Sequence, residues 1–163
     1  MRKTIISLLL LSATCGYGAT NPQQPVSADT ATVFTNPVLW ADVPDPDVIR
    51  VGDTFYLVST TMHLMPGAPV MRSKDLVNWE LVSYLFDKLT DTSNYDLKNG
   101  TAYGRGQWAT SIRYHNGKFY AYFSPNDKPY KGYVYSTSDP AGKWQLVSRI
   151  PHSVSYTHLT LPT

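Results

Sequence analysis

In Val43-Pro44-Asp45-Pro46-Asp47-Val48-Ile49 a carboxylate stands between two prolines. Each ring fixes φ at its own residue, and Pro46 also pushes Asp45 toward an extended conformation. A carboxylate whose backbone is held this rigidly at the entrance to an apolar strand is a candidate for chemistry. The same residues could instead be a plain turn that caps the strand, and the motif alone does not choose. Other reactive groups are few. Glu80, the only glutamate, follows Trp79 in what reads as a solvated closing strand, and Cys15 is the only cysteine, so no intrachain disulfide can form. No metal-ligand spacing, phosphate loop or nucleophilic triad occurs.

The elements that would position Asp45 are β-like almost throughout. Short apolar or aromatic runs alternate with turn clusters, and no stretch offers an amphipathic helix with caps. The pattern also repeats. Val48-Ile49-Arg50-Val51-Gly52-Asp53-Thr54-Phe55-Tyr56 is similar to Ser111-Ile112-Arg113-Tyr114-His115-Asn116-Gly117-Lys118-Phe119-Tyr120, and residues 72–82 are similar to 136–147. Ile49 returns as Ile112, Phe55 as Phe119 and Trp79 as Trp144, a period of about 64 residues. Each unit has an apolar strand, a glycine-containing hairpin turn (Gly52-Asp53, Asn116-Gly117), an aromatic strand and a third strand. A Ser/Asp-rich turn, the tryptophan and a Leu-Val strand then close it. Four antiparallel strands per unit describe a propeller blade. One blade cannot bury both of its faces, and a closed ring needs four or more. The two units, 42–84 and 107–150, are therefore expected to belong to a larger ring, with Asp45 on the inner strand pointing at the axial cavity. Trp79 and Trp144, recurring at one place in the unit, are expected to pack blades.

Residues 1–19 have the form of an export signal: Arg2 and Lys3, an apolar run from Ile5 to Leu11, then Gly16 and Gly18 ahead of Ala19. The run is too short to span a bilayer. Cys15 sits where a lipoprotein signal would place its acylated cysteine, or it is discarded with the signal. A secreted or periplasmic protein, or an outer-membrane lipoprotein, is expected. Residues 20–33, rich in Pro, Gln, Ser, Ala and Thr, form a linker. The formal charge of +2 includes Arg2 and Lys3, so the remainder is near neutral, which argues against a nucleic-acid partner. The 12 tyrosines and 4 tryptophans suit sheet packing and also suit the flat faces of sugars.

Asp45-Pro46-Asp47-Val48-Ile49, followed by Gly52-Asp53-Thr54-Phe55-Tyr56-Leu57 and Ser73-Lys74-Asp75-Leu76-Val77-Asn78-Trp79, resembles the opening of glycoside hydrolase family 43. Gln107-Trp108-Ala109-Thr110-Ser111-Ile112-Arg113-Tyr114 with Asn116-Gly117-Lys118-Phe119-Tyr120 resembles the second blade of the same family. The resemblance covers about Phe34 to Ile150. It implies an all-β, five-bladed propeller with about two blades present within residues 34–152. It further implies no organic cofactor and an oligo- or polysaccharide partner, while the charge and the short apolar run argue against nucleic acid and a membrane span. The implied reaction is inverting hydrolysis of β-xylosides or α-L-arabinofuranosides of plant polysaccharides.

The family's roles carry over residue by residue. Asp45 matches the general base, while the general-acid glutamate belongs to a later blade, so this chain alone is expected to be inactive. A third acid raises the pKa of that glutamate. The family's Trp-Ala-Pro-Asp reads here Trp108-Ala109-Thr110-Ser111 and lacks the acid. Asp127, in Ser124-Pro125-Asn126-Asp127, is the substitute, or else a plain turn aspartate. Trp108 would stack on a sugar ring or pack between blades. His63 and Arg105 are further candidate substrate contacts on loops. A sugar-binding propeller without hydrolysis, or an endo-arabinanase on the same fold, are the rival readings. Val154–Thr163 matches neither the repeat nor the family. Within 153–163 it resembles one reading frame of a transposon-type sequencing adapter, which would place the natural end near His152.

Overall fold

The structure, a computed structural model, describes residues 33–151. The expected signal with Cys15, the linker as far as Thr32 and the tail 153–163 lie outside the described residues.

Among the described residues eight strands follow one another: β1 (Asp47–Val51), β2 (Thr54–Val58), β3 (Gly67–Ser73), β4 (Glu80–Phe86), β5 (Gln107–His115), β6 (Lys118–Pro125), β7 (Gly132–Thr137) and β8 (Gln145–Ile150). They form two four-stranded antiparallel sheets, ordered β1-β2-β3-β4 and β5-β6-β7-β8. These are two propeller blades, and no helix occurs among the described residues. The expected hairpin turns are in place: Gly52 (φ 63°) joins β1 to β2, and Asn116 (φ 47°) with Gly117 (φ 79°) joins β5 to β6. Such tight turns need left-handed backbone, which glycine and asparagine adopt at little cost. The first blade's strands begin only at Asp47, because the prolines at 44 and 46 have no N–H to offer a ladder.

The core lies between the blades. Val58, Val70, Leu85 and Phe86 of the first blade pack against Ile112, Phe119, Ala121, Phe123 and Tyr135 of the second. Phe86 stacks on Phe123 with ring centroids 5.1 Å apart, and Tyr56 meets Phe119 edge-on at 4.9 Å. Offset and edge-to-face pairs of this kind add to plain area burial. Trp144, only 4% exposed, donates its indole N–H to Ser83 Oγ of the first blade at 3.2 Å. Burial holds the phenol pKa of Tyr135 in this core up to about 12. The first strand of each blade and its flanking residues are tied directly to the other blade. Asp47 Oδ2 accepts from the backbone N–H of Ile112 (2.9 Å) and from Arg113 Nη1 (2.6 Å). Thr61 and Gln107 exchange backbone hydrogen bonds at 3.1 and 3.0 Å.

Candidate active site

β1 and β2 are antiparallel, as are β5 and β6. The chain before β1, the loop after β2, the chain before β5 and the loop after β6 therefore gather at one end of the blades. Asp45, His63, Arg105, Trp108 and Asp127 all fall there, in or beside those four segments.

Asp45 is exposed, and its backbone is left-handed, φ 48°, not the extended conformation expected of the residue before Pro46. Pro44, just before it, is fastened to the end of β2: its carbonyl accepts from Thr60 N at 3.0 Å and from Ser59 Oγ at 2.7 Å. The Asp45 carboxylate takes one hydrogen bond, from Thr60 Oγ1 to Oδ2 at 2.8 Å. Thr60 Oγ1 in turn accepts the backbone N–H of Ala109 at 2.7 Å. Among the described residues no donor reaches Asp45 Oδ1. The Asp-Pro-Asp motif thus divides its labour: Asp47 ties the blades together, and Asp45 presents a carboxylate with one oxygen open.

Arg105 and Asp127, two separate candidates in the sequence, meet as a pair. Arg105 Nη1 lies 3.0 Å from Asp127 Oδ1, and that same oxygen accepts the N–H of Lys128 at 2.9 Å. Asp127 is buried while most of the Arg105 side chain stays exposed. The segment between β4 and β5 that carries Arg105 is pinned to the second blade. Tyr95 Oη donates to the carbonyls of Lys128 (2.9 Å) and Asp127 (3.2 Å). Asp91 accepts from Tyr133 Oη at 2.6 Å and faces Lys131 and Arg149, each at 3.5 Å. Burial, reinforced by the Asp91 carboxylate, pushes the Tyr133 phenol well above its ordinary range, so it stays a neutral donor.

His63 is exposed on the loop after β2 and lines a cavity of about 180 Å³ with Met65, Tyr95 and Tyr103. Trp108 is half-buried, and its buried Nε1 has no partner among the described residues. Glu80 lies away from this end, on the edge strand β4, 62% exposed and bonded to Arg72 at 2.8 Å. Among the described residues no group of three or more His, Cys, Asp or Glu side chains could hold a metal.

Sequence reasoning missed Thr60, Gln107 and Gly106. Gln107 is fully buried; its Nε2 donates to Ser59 O at 2.9 Å, and its Oε1 accepts from Thr110 Oγ1. A Cβ on Gly106 would lie 1.8 Å from Thr61 O and 2.6 Å from His63 N, so the loop after β2 runs directly over it. One available signal was the run Thr60-Thr61 at the close of an aromatic strand, opposite the Asp45 motif in the hairpin.

Residues 34–158 match the family described as Glycosyl hydrolases family 43, a match reaching beyond His152. A β-xylosidase of Formosa agariphila is 37% identical over 68% of this chain and 18% of its own length. A non-reducing end α-L-arabinofuranosidase of Bacteroides ovatus is 42% identical over 68% of this chain and 21% of its own. Among solved structures, a bifunctional GH43-CE protein of Bacteroides eggerthii superposes with a TM-score of 0.65 at 44% identity, covering 72% of this chain and 15% of that one. The chain thus spans about a fifth of the length of these curated relatives. With its two blades and the matched segment covering most of its length, the chain belongs to glycosyl hydrolases family 43.

Proposed function

We propose that the full-length protein hydrolyses β-xylosides or α-L-arabinofuranosides of plant polysaccharides with inversion, and that Asp45 is the general base. What supports the substrate class is the family together with the β-xylosidase and arabinofuranosidase relatives. What supports the role is one observation: Asp45 is exposed at the end of the blades where the candidate residues gather, with Oδ2 occupied by Thr60 and no donor among the described residues on Oδ1. In this reaction water attacks the anomeric carbon while Asp45 takes its proton. The glycosidic C–O bond breaks, and the departing oxygen receives a proton from a carboxylic acid on the other side of the sugar. Inversion requires the two carboxyl groups to stand ~6.5–9.5 Å apart, with the water between sugar and base. Glu80, solvated and paired with Arg72, is not placed for the acid's role.

Asp127 is the acid that would keep the proton donor charged with its proton, since a neighbouring negative charge disfavours ionisation. Arg105 would hold Asp127 in place and offer its remaining N–H groups to a sugar hydroxyl. Trp108 would stack on a ring, and His63 would reach a hydroxyl from the loop after β2.

The test is stereochemical. The full-length protein is given an aryl β-D-xyloside and an aryl α-L-arabinofuranoside, and the first-formed sugar is observed by proton NMR. Turnover of either with an inverted anomeric centre is expected; retention, or no turnover of both, overturns the reading. Export is part of the same proposal, on the strength of Arg2, Lys3 and the apolar run Ile5–Leu11. Mass spectrometry of the mature N-terminus, at Ala19 or at a lipid-bearing Cys15, tests it.

A further inference from the structure

We infer that Thr60 is the positioning residue for the base: its hydroxyl selects which oxygen of Asp45 meets the water, and ties that choice to the seating of the second blade. The inference rests on Asp45 acting as the general base.

An exposed carboxylate on a single Cβ is free to rotate, whereas proton transfer from a bound water demands placement to a fraction of an ångström. The prolines fix the Asp45 backbone but not its side chain. Thr60 supplies the missing restraint. It is buried, and its β-branched side chain has few rotamers. Its backbone N–H is bonded to the carbonyl of Pro44, the residue before Asp45.

The direction of the hydrogen bonds is determined. A backbone N–H can only donate, so Ala109 N, at 2.7 Å, occupies a lone pair of Thr60 Oγ1. The one hydroxyl proton is then directed at Asp45 Oδ2, 2.8 Å away. An ionised carboxylate is an acceptor only, so the arrangement is complementary to Asp45 in the form that a base must have. Oδ2 is thereby engaged, and Oδ1 is left as the oxygen that takes the water's proton.

Ala109 can give its N–H to another blade because it is not a regular strand residue. The β5–β6 register shifts between Trp108 and Ser111, and Ala109 has φ 44°. A bulge of this kind removes one residue from the ladder and re-aims its backbone groups. The hydrogen bonds therefore run from the second blade's bulge, through the Thr60 hydroxyl, to the first blade's carboxylate.

A purely structural Thr60 would do no more than satisfy polar groups at a packed boundary. Its removal would lower stability and would act independently of Asp45. The experiment separates the two. In the full-length protein, Thr60→Val and Thr60→Ser are made both in the wild type and in Asp45→Asn. kcat and KM are measured on an aryl glycoside with a good leaving group, and each variant is checked by thermal melting. Thr60→Val is expected to lower kcat about 10- to 100-fold with KM changed less than about threefold, Thr60→Ser to restore most of the loss, and neither to matter in the Asp45→Asn background. If valine does not fold at this site, Thr60→Ala carries the same comparison. A kcat for Thr60→Val within about threefold of wild type, or the same fold-loss in both backgrounds, overturns the inference. If Asp45→Asn alone leaves kcat nearly unchanged, the failure lies in the assignment of the base, not in Thr60.

Discussion

Asp45 and Ala109 occupy nearly the same place in successive blades. Asp45 stands just before β1, four residues ahead of Ile49, and Ala109 in the bulge near the start of β5, three ahead of Ile112; each has left-handed backbone, at φ 48° and 44°. Non-glycine residues rarely adopt that conformation, and where they do the surroundings must hold them there. In the first blade the position carries an exposed carboxylate. In the second it carries a methyl group, and its N–H holds the threonine that holds the carboxylate. The repeat thus supplies one kind of kink twice, and the chemistry enters where the two copies differ.

The largest effect should come from removing the chemical half of the pair. In the full-length protein Asp45→Ala is expected to lower kcat by ~10²–10⁴-fold, the usual contribution of a positioned general base. The melting temperature should hardly move, because the side chain is exposed and makes a single hydrogen bond. Activity within about threefold of wild type would leave the two positions equivalent, and the contrast drawn between them would be wrong.

The next effect concerns how the two ends are kept in register. Gly106 lies beneath the Thr61–His63 segment, in contact with backbone and not with a yielding side-chain tip. Gly106→Ala must therefore displace the loop after β2 or the start of β5, and overpacking of this kind typically costs about 1–3 kcal/mol. Denaturant unfolding should register the loss, and kcat should fall with it, because Thr60 directly precedes the displaced segment. An alanine variant as stable as wild type would show that the two segments can part without cost.

The local half of this architecture was legible in the sequence. Gly52 and Asn116-Gly117 announce their hairpins because few residues tolerate φ > 0, and the recurrence of Ile49, Phe55 and Trp79 about 64 positions later exposes the blade. What could not be read were the bonds between blades. Asp47 to Ile112, Ser59 to Gln107 and Thr60 to Ala109 join residues 48 to 65 positions apart, and no local pattern encodes them. The tryptophans show the same limit. As sequence, Trp79 and Trp144 are equivalent packing residues. In the structure Trp144 is buried with its N–H on the preceding blade, whereas Trp79 is half-exposed, bonded to its own turn at Leu76 O, and lines a groove of about 310 Å³. Arg105 and Asp127 were each legible as candidates, but not as partners: the pairing depends on how the segment between β4 and β5 folds back over the second blade.

The smallest expected effect sharpens the comparison at the turns that precede those tryptophans, where Asp75 and Asp139 hold corresponding places. Asp75 Oδ1 accepts two backbone N–H groups, Val77 at 2.9 Å and Asn78 at 2.8 Å, and Oδ2 accepts the Asn78 side chain at 2.7 Å. Among the described residues Asp139 Oδ1 accepts a single N–H, that of Ala141, at 3.0 Å. These hydrogen bonds, those from Asn78 foremost, hold the Asp75 carboxyl well below the usual carboxylate range. A group whose pKa is lowered by folding stabilises the fold above its unfolded pKa of ~3.9, and that contribution is lost as pH falls through the lower folded value. Asp75→Ala should therefore cost more at neutral pH than Asp139→Ala, with a difference on the order of 1 kcal/mol or less for a turn open to solvent. Denaturation measured from pH 7 down to pH 2 should show the gap between wild type and Asp75→Ala narrowing below about pH 4. If that gap stays constant, the carboxylate's charge contributes nothing to the turn. If the two alanine variants cost the same, the extra bonds at Asp75 are not what separates the blades there.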